Sequence, residues 1–183
     1  GIKGITKLVE QAKGLARQAL QTADATTRST LATQFAEVRT QIDELSADAG
    51  FNGTNLLDGD SLTVNFNEDS SSSLSVTGVT YDATGLGIAA ASNAWAADAD
   101  INAAVANLDA ATNTLRAQAS TFGSNLAIVK NRQDFTRSMI DTLNNGADGL
   151  VLADSNEEGA KLVTLNTRQQ MSTTALSLAS QSD

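Results

Sequence analysis

Hydrophobic side chains recur at helical spacing in the first part of the chain. In residues 3–21 they fall on one face of a helix, and in residues 28–49 they follow heptad steps of four and three. A polar segment from Thr22 to Thr27 separates the two stretches, and Asp24 and Thr26 are candidate helix N-caps within it. We predict helices over 3–21 and 28–49, with Gly50 ending the second. The seam of the second helix is Leu31, Phe35, Val38, Ile42 and Leu45.

The pattern becomes an alternation of apolar and polar residues in the middle of the chain. Residues 62–66 and 74–81 both alternate with period two, and a polar loop rich in serine joins them. Turn residues in 51–60 precede this region. We therefore predict a small β-hairpin, with Leu86–Ile88 as a candidate third strand.

The longest regular pattern runs from residue 98 to residue 144. Its steps alternate between four and three over six heptads, which predicts one long helix that ends at Asn145-Gly146. Residues 147–182 repeat the spacing with polar members, so we predict a weaker helix there that needs a partner to be ordered. The large apolar members of the long seam are Ile101, Val105, Leu108, Leu115, Phe122, Leu126, Val129, Ile140 and Leu143.

These elements predict a mainly α protein. We expect an elongated bundle of long, coiled-coil-like helices with a small β-hairpin region inserted between two helical halves. The chain starts and stops in mid-pattern, so we expect it to be part of a longer polypeptide. The predicted regions are 1–57, the amino-terminal half of a helical rod; 58–97, an acidic hairpin and loop region; 98–145, the long carboxyl-side helix; and 146–183, a carboxyl-terminal helix.

The composition excludes most catalytic chemistry. The sequence contains 0 His and 0 Cys, so it has no imidazole base, thiolate nucleophile or Cys/His metal site. Aromatic residues make up only 4% of the chain, which is few for a ligand pocket. We therefore expect no enzyme activity, no catalytic or metal-binding residues and no cofactor. No run approaches the roughly 18 apolar residues of a membrane span.

The net charge of -9 is unevenly distributed. Residues 51–110 carry eight acidic and no basic side chains, whereas residues 1–50 carry six of each. Because the basic residues are scattered singly, we expect neither nucleic acid nor an anionic membrane as a partner. The acidic middle is expected to face solvent and the flanking regions to pack.

Some acidic residues suggest a site, but a structural role explains them better. Asp98, Asp100, Asn102 and Asp109 have part of the spacing of an EF-hand loop, but Ala103 replaces its glycine. We interpret Asp98 and Asp100 as acids favoured at a helix amino terminus. The adjacent pairs Asp43-Glu44 and Glu157-Glu158 are expected on solvated helix faces.

Several short segments carry a family resemblance, in order along nearly all 183 residues: 1–9, 14–19, 51–57, 156–160, 167–170 and 175–179. They resemble bacterial flagellin, in the style of alphaproteobacterial members. The resemblance implies a short form of that protein that lacks the family's amino-terminal region and extreme carboxyl tail. Residues 146–183 would then belong to the filament core.

The resemblance implies a structural subunit of the flagellar filament, located outside the cell and assembled with copies of itself for motility. It also implies an export chaperone that binds the carboxyl-terminal helix, and weak or no recognition by the innate immune receptor for flagellin, because Gly14 stands where recognised members carry an Arg. Two alternatives are a hook–filament junction protein and a cell-surface adhesin or ligand-binding homologue. Asn52-Gly53-Thr54 is a turn in this interpretation. The candidate O-glycosylation residues are Ser70, Ser71, Ser72, Ser73 and Thr77.

Overall fold

The computed structural model describes residues 1–180 and is mainly helical, as predicted. It forms two units, the first comprising Gly1–Lys130 and the second beginning at Asn131. In chain order the elements are α1 (Ile2–Leu20), α2 (Ala25–Ala47), β1 (Leu62–Asn65), β2 (Ser73–Val76), a 3₁₀ turn (Ser92–Trp95) and α3 (Asp98–Ser180).

The start of α2 is fixed by Asp24, one of the two candidate cap residues. The Asp24 carboxylate accepts a hydrogen bond of 2.7 Å from the amide of Thr27, and the helix begins at Ala25, three residues earlier than predicted. At the other end the helix stops at Ala47, and Asp48 caps it in a right-handed conformation. Gly50 is therefore not the residue that ends α2, which corrects the prediction.

The predicted hairpin is present, but its ladder of paired residues is short. Leu62 pairs with Val76 and Asn65 with Ser73 in an antiparallel ladder. The alternation towards Val79 and Tyr81 does not extend β2, because their amides donate to the carbonyls of Leu56 and Leu57 in the preceding turn segment.

The third strand predicted over Leu86–Ile88 is wrong. All three amides donate to carbonyls in residues 82–84, which makes the segment a turn. Gly87 has a φ of 72°, a conformation that glycine adopts without steric cost. Leu86 and Ile88 are still buried, so burial rather than strand pairing explains their apolar character.

The predicted helix end at Asn145-Gly146 is also wrong, since α3 continues through both residues to Ser180. A glycine in an exposed helix interior costs only about 1 kcal/mol relative to Ala, and the sequence contains 0 Pro that would force a break. The separate helix predicted for 147–182 is part of α3, and its last two residues lie outside the described residues.

The core of the first unit is one hydrophobic cluster. It combines α1, α2, the segment after the hairpin and the first turns of α3. Burial within it raises the pKa of the Tyr81 phenol. No helix within residues 1–180 has the length and apolar composition of a membrane span.

Candidate functional site: the helix-packing surfaces

The predicted seam of α2 lies against the core. Four of its residues are buried, and Leu45 is half-buried at the cluster edge. The spacing of four and three residues keeps these side chains on one face, which α2 turns towards α1 and α3. The buried members are Leu31, Phe35, Val38 and Ile42.

The predicted seam of α3 is buried in its first part and mostly exposed in its later part. Ile101, Leu108 and Leu115 are fully buried in the core, and Val105 and Phe122 are half-buried against it. Farther along, Val129 is half-buried, while Leu126, Ile140 and Leu143 are exposed. The structure thus brings the first part of this seam together with α2 and leaves the later residues without cover.

The part of α3 that begins at Asn131 carries an apolar surface in contact with solvent. Exposed side chains there include Leu143, Leu150, Val151, Leu152, Leu162, Val163, Leu165, Met171, Leu176 and Leu178. Exposed apolar surface on this scale is typical of a site that another helix covers.

The predicted apolar face of α1 includes Ala12, Ala16 and Ala19, and all three are fully buried. Sequence reasoning missed Trp95 as a contributor to the core. Trp95 is also fully buried, and its ring lies 4.9 Å from that of Phe35 at a tilt of 46°. Trp95 falls in the segment assigned to the acidic loop region. It is the sole Trp in a chain with few aromatic residues, and a large apolar ring of this kind indicates a position buried in the core.

The turn that places Trp95 is strained. Asn93, Ala94 and Trp95 have φ values of 47°, 48° and 60°, in the left-handed region that costs non-glycine residues free energy. The Trp95 Nε1–H is buried, and the described residues offer it no acceptor. Burial of the large ring against Phe35 offsets both costs.

Two ion pairs join the helices of the first unit. Arg28, buried at the start of α2, pairs with Asp98 and donates to the carbonyls of Thr22 and Ala96 over 2.7 and 3.1 Å. Lys13 of α1 pairs with Asp109 of α3. Two of the acids with EF-hand-like spacing are therefore held by cations. Among residues 1–180, His, Cys, Asp and Glu side chains form no cluster of three that would hold a metal ion.

The turn segment after α2 is held by polar side chains. The side-chain Nδ2 of Asn55 donates to the carbonyls of Ser46 and Ala47 over 2.7 and 2.9 Å. The Asp60 carboxylate accepts from the backbone N–H of Asn55 over 2.7 Å. The Asp43 carboxylate accepts from the amide of Ala83 over 2.7 Å. Asp43 is exposed, as expected, but it also attaches the segment after the hairpin to α2.

The second acidic pair lies on an exposed face of α3. Lys161 Nζ lies 3.2 Å from the Glu157 carboxylate and 3.8 Å from that of Glu158. These exposed pairs contribute little to stability.

The hairpin loop presents hydroxyl groups to solvent. Ser70, Ser71, Ser73 and Thr77 are exposed, and Ser72 is half-buried. The amide and hydroxyl of Ser71 both donate to the Asp69 carboxylate, which lowers the pKa of Asp69. The loop is thus ordered by its own side chains.

Comparison with known proteins shows what the chain is similar to. No family model matches the chain. Over 177 residues, or 96% of the chain, it is 32% identical to flagellin FljM and 30% identical to flagellin FljK of Caulobacter vibrioides, an alphaproteobacterium. The chain spans 63% of the length of each of these relatives.

The chain is similar to flagellins over nearly its whole length. Among solved structures it is similar to the crystal structure of Bacillus cereus flagellin, with a TM-score of 0.60 and 22% identity over 72% of this chain and 77% of that chain. At this identity the likeness shows the fold alone. It agrees with the mainly helical architecture described above.

Within this flagellin fold, the α1 surface that the immune-receptor prediction concerns is only partly accessible. Gly14 and Arg17 are exposed, Leu15 is half-buried and Ala16 is buried. The Lys13 ammonium group forms an ion pair with the Asp109 carboxylate, so it is not free to act in place of an Arg at position 14. A side chain at Gly14 would meet no other atom within 4 Å.

Proposed function

We propose that this chain is part of a structural subunit of the bacterial flagellar filament, which assembles through helix–helix packing outside the cell. The observation that carries the proposal is the uncovered apolar surface of α3 beyond Asn131, in a chain whose relatives are named flagellins. A helix with such a surface gains free energy when a second helix covers it.

The test is polymerisation of a full-length flagellin that carries this chain with Leu162 and Leu165 both changed to Glu, because the chain alone spans 63% of its relatives' length. These residues are 56% and 63% exposed, so the substitutions leave the core of the first unit intact. We expect the variant to remain unpolymerised in sedimentation and electron microscopy, because burying a carboxylate in an apolar contact is costly.

The matched control is Asn166→Glu, which adds a charge to the same helix at an exposed polar position. It is expected to polymerise like the parent. Filaments from the Leu162→Glu/Leu165→Glu variant at the parental rate would contradict a filament role for this surface.

We further propose that the role is structural rather than catalytic. Supporting this, Asp98 and Asp109 are engaged in ion pairs. Glu157 and Glu158 both pair with Lys161 on an exposed helix face. A hydrolase screen of the purified chain against peptide, ester and phosphate substrates tests this. Turnover abolished by changing one acidic residue would overturn it.

We propose the same exposed surface of α3 after residue 146 as the binding site of an export chaperone. An apolar helix face that is covered in an assembly requires protection before export. The Leu162→Glu/Leu165→Glu variant should lose chaperone binding in isothermal titration, whereas Asn166→Glu should retain it.

The exposed hydroxyls of Ser70, Ser71, Ser73 and Thr77, with half-buried Ser72, are proposed O-glycosylation sites. Their position on a solvent-facing loop supports access by a transferase. Mass spectrometry of the protein from its native source tests this, and unmodified peptides covering residues 67–80 would contradict it.

A further inference from the structure

We propose that Asn52 is a site of spontaneous deamidation, at which the folded chain acquires aspartate and isoaspartate. Such a covalent modification is independent of the filament role proposed above. The backbone around Asn52-Gly53 differs from that around every other Asn-Gly or Asp-Gly dipeptide in the chain, and this difference makes Asn52 the reactive position.

The reaction joins the backbone nitrogen of Gly53 to the side-chain Cγ of Asn52, a thermolabile residue type. The nitrogen gives up its proton to hydroxide and attacks Cγ. The bond from Cγ to Nδ2 then breaks, and Nδ2 takes a proton from water and leaves as ammonia. Water opens the resulting five-membered imide at either carbonyl, which gives aspartate or, with the main chain running through Cβ and Cγ, isoaspartate. The net change is the gain of one water and the loss of one ammonia, without oxidation or reduction.

Glycine after the reacting residue favours this chemistry, because it has no side chain to crowd the attacking nitrogen. Four dipeptides in the sequence place an Asn or Asp before glycine: Asn52-Gly53, Asp58-Gly59, Asn145-Gly146 and Asp148-Gly149. An ionised carboxylate is a poorer electrophile than a carboxamide. The two Asn-Gly pairs are therefore the main candidates.

Asn52 and Gly53 form the tip of a tight turn. Phe51 and Thr54 exchange both of their backbone hydrogen bonds across it, over 2.9 and 3.1 Å, and the two residues between them have φ values of 51° and 77°. This geometry leaves the N–H of Gly53 without an acceptor among residues 1–180. The nitrogen is therefore free to lose its proton and to approach the Asn52 side chain.

The turn is also open to solvent. Asn52 and Gly53 are both exposed, and the Asn52 carboxamide forms no hydrogen bond within the described part of the chain. A Cβ at Gly53 would meet no atom within 4 Å. Hydroxide and water can reach the turn, the imide ring has space to form, and an exposed loop tip changes conformation at a low cost in free energy.

The other three glycine nitrogens are engaged in hydrogen bonds. The N–H of Gly59 donates to the carbonyl of Val79 over 3.2 Å. Gly146 and Gly149 lie inside α3, where each N–H donates to the carbonyl four residues earlier. Attack by any of these nitrogens first requires that its hydrogen bond be broken.

Asn145-Gly146 provides a matched comparison in the same chain. Asn145 is exposed like Asn52, and a Cβ at Gly146 would also meet no atom within 4 Å. The two pairs thus share their residue types, their access to water and their free space, and they differ in backbone hydrogen bonding. We expect Asn52 to react about tenfold faster or more, because Asn145 reacts only when the helix opens locally.

Reaction at Asn52 changes the surface as well as the turn. Phe51 and Asn52 line an apolar groove of about 530 Å³, so either product adds a carboxylate to its lining. Isoaspartate also adds one atom to the main chain between Phe51 and Thr54, which disturbs the pairing of these two residues. The groove therefore becomes more acidic, and its turn less regular, as the protein ages.

The experiment ages an unpolymerised full-length flagellin that carries this chain in mildly alkaline buffer. Peptide mass spectrometry follows conversion at Asn52 and Asn145 in the same molecules. In the folded protein Asn52 should convert about tenfold faster or more than Asn145. In concentrated urea the two residues should convert at similar rates, because the helix no longer protects Asn145.

Asn52→Gln and Asn145→Gln are a matched pair of variants. Attack on the longer Gln side chain must close a six-membered ring, which forms far more slowly. Isoaspartate is measured by transfer of methyl groups from S-adenosylmethionine with an isoaspartyl methyltransferase. The aged parent and aged Asn145→Gln should accept methyl groups equally, whereas aged Asn52→Gln should lose most of this signal while keeping its circular dichroism spectrum.

Equal conversion of Asn52 and Asn145 in the folded protein would overturn the proposal. Methyl acceptance by aged Asn52→Gln at the parental level would also overturn it. The same excess of Asn52 conversion in urea would assign the preference to local sequence and refute the role of the folded turn. These readouts do not involve polymerisation, so the filament function is tested separately by Leu162→Glu/Leu165→Glu.

Discussion

The ring of Trp95 lies against that of Phe35, with centroids 4.9 Å apart and planes tilted by 46°. This contact attaches the segment after the hairpin to the middle of α2. Both side chains are fully buried, and they are the largest such residues of the core. The pair therefore joins the irregular part of the first unit to its helices.

Phe35→Ala should destabilise the first unit by about 3–5 kcal/mol, because the surrounding residues only partly fill the cavity. Urea unfolding followed by Trp95 fluorescence measures it, since Trp95 is the only Trp. The exposed neighbour Gln34→Ala serves as control and should change stability by no more than about 0.5 kcal/mol. Equal effects of the two substitutions would contradict burial of Phe35.

Ala94→Gly should stabilise the chain by about 0.5–1 kcal/mol. The φ of 48° at Ala94 costs an L-residue about 1–2 kcal/mol, of which the greater freedom of glycine in the unfolded chain cancels a part. Ala96→Gly is the matched control. Ala96 has a φ of -60°, which an L-residue adopts without strain, so this substitution should lower the stability of the chain. Destabilisation of both variants by the same amount in thermal unfolding would rule out a left-handed turn at Ala94.

Leu115→Ala should cost about 2–5 kcal/mol, whereas Leu143→Ala should change stability by at most about 0.5 kcal/mol. The two residues have the same role in the heptad pattern, but Leu115 is fully buried and Leu143 is 64% exposed. Urea unfolding of unpolymerised chain measures both. A large loss at Leu143 in the unpolymerised chain would contradict its exposure.

Periodicity predicted the helices, their core-facing residues on α2 and the hairpin, because each depends on a local pattern of apolar positions. It did not predict which part of the α3 seam is covered. Leu115 and Leu143 are equivalent in the pattern, and only the positions of α1 and α2 distinguish them. Spacing states which face is apolar, and tertiary contacts decide whether that face is buried.

The other differences come from residues whose local preferences are weak. Asn145-Gly146 is a frequent helix end, yet its cost of about 1 kcal/mol is too small to end a helix with no Pro. The position of Trp95 depends on a strained turn, which sequence patterns do not indicate.

Asp24 should make stability depend on pH in the acid range. Hydrogen bonds from the Thr27 hydroxyl and then the Thr27 amide hold the pKa of its carboxyl below the ordinary 3.8. Because the folded pKa is the lower one, this contribution is complete above the unfolded value and is lost as the pH falls through the folded value. The thermal midpoint of Asp24→Asn should therefore fall less than that of the parent between neutral and strongly acidic pH.

At neutral pH Asp24→Asn should stay close to the parent, since Asn is an equally good N-cap, whereas Asp24→Ala should melt at a lower temperature. Calorimetry across the acid range measures all three proteins. Parallel pH profiles for the parent and Asp24→Asn would contradict the lowered pKa.

Gly14→Arg should convert the chain from a weak into a strong agonist of the innate immune receptor for flagellin. Gly14 is exposed, and a side chain there meets no atom within 4 Å, so an Arg would extend into solvent from an unchanged helix. A guanidinium that fits a receptor pocket commonly contributes 2 kcal/mol or more, so activation in a reporter-cell assay should rise about tenfold or more.

Gly14→Ala is the matched control for that substitution. Both replacements favour the helix by up to about 1 kcal/mol relative to glycine, so both should raise the thermal midpoint. Only Arg supplies a planar set of donors and a long side chain for the receptor. Equal activation by the two variants would show that helix stability rather than the guanidinium limits recognition, and strong activation by the parent would contradict the expected role of Gly14.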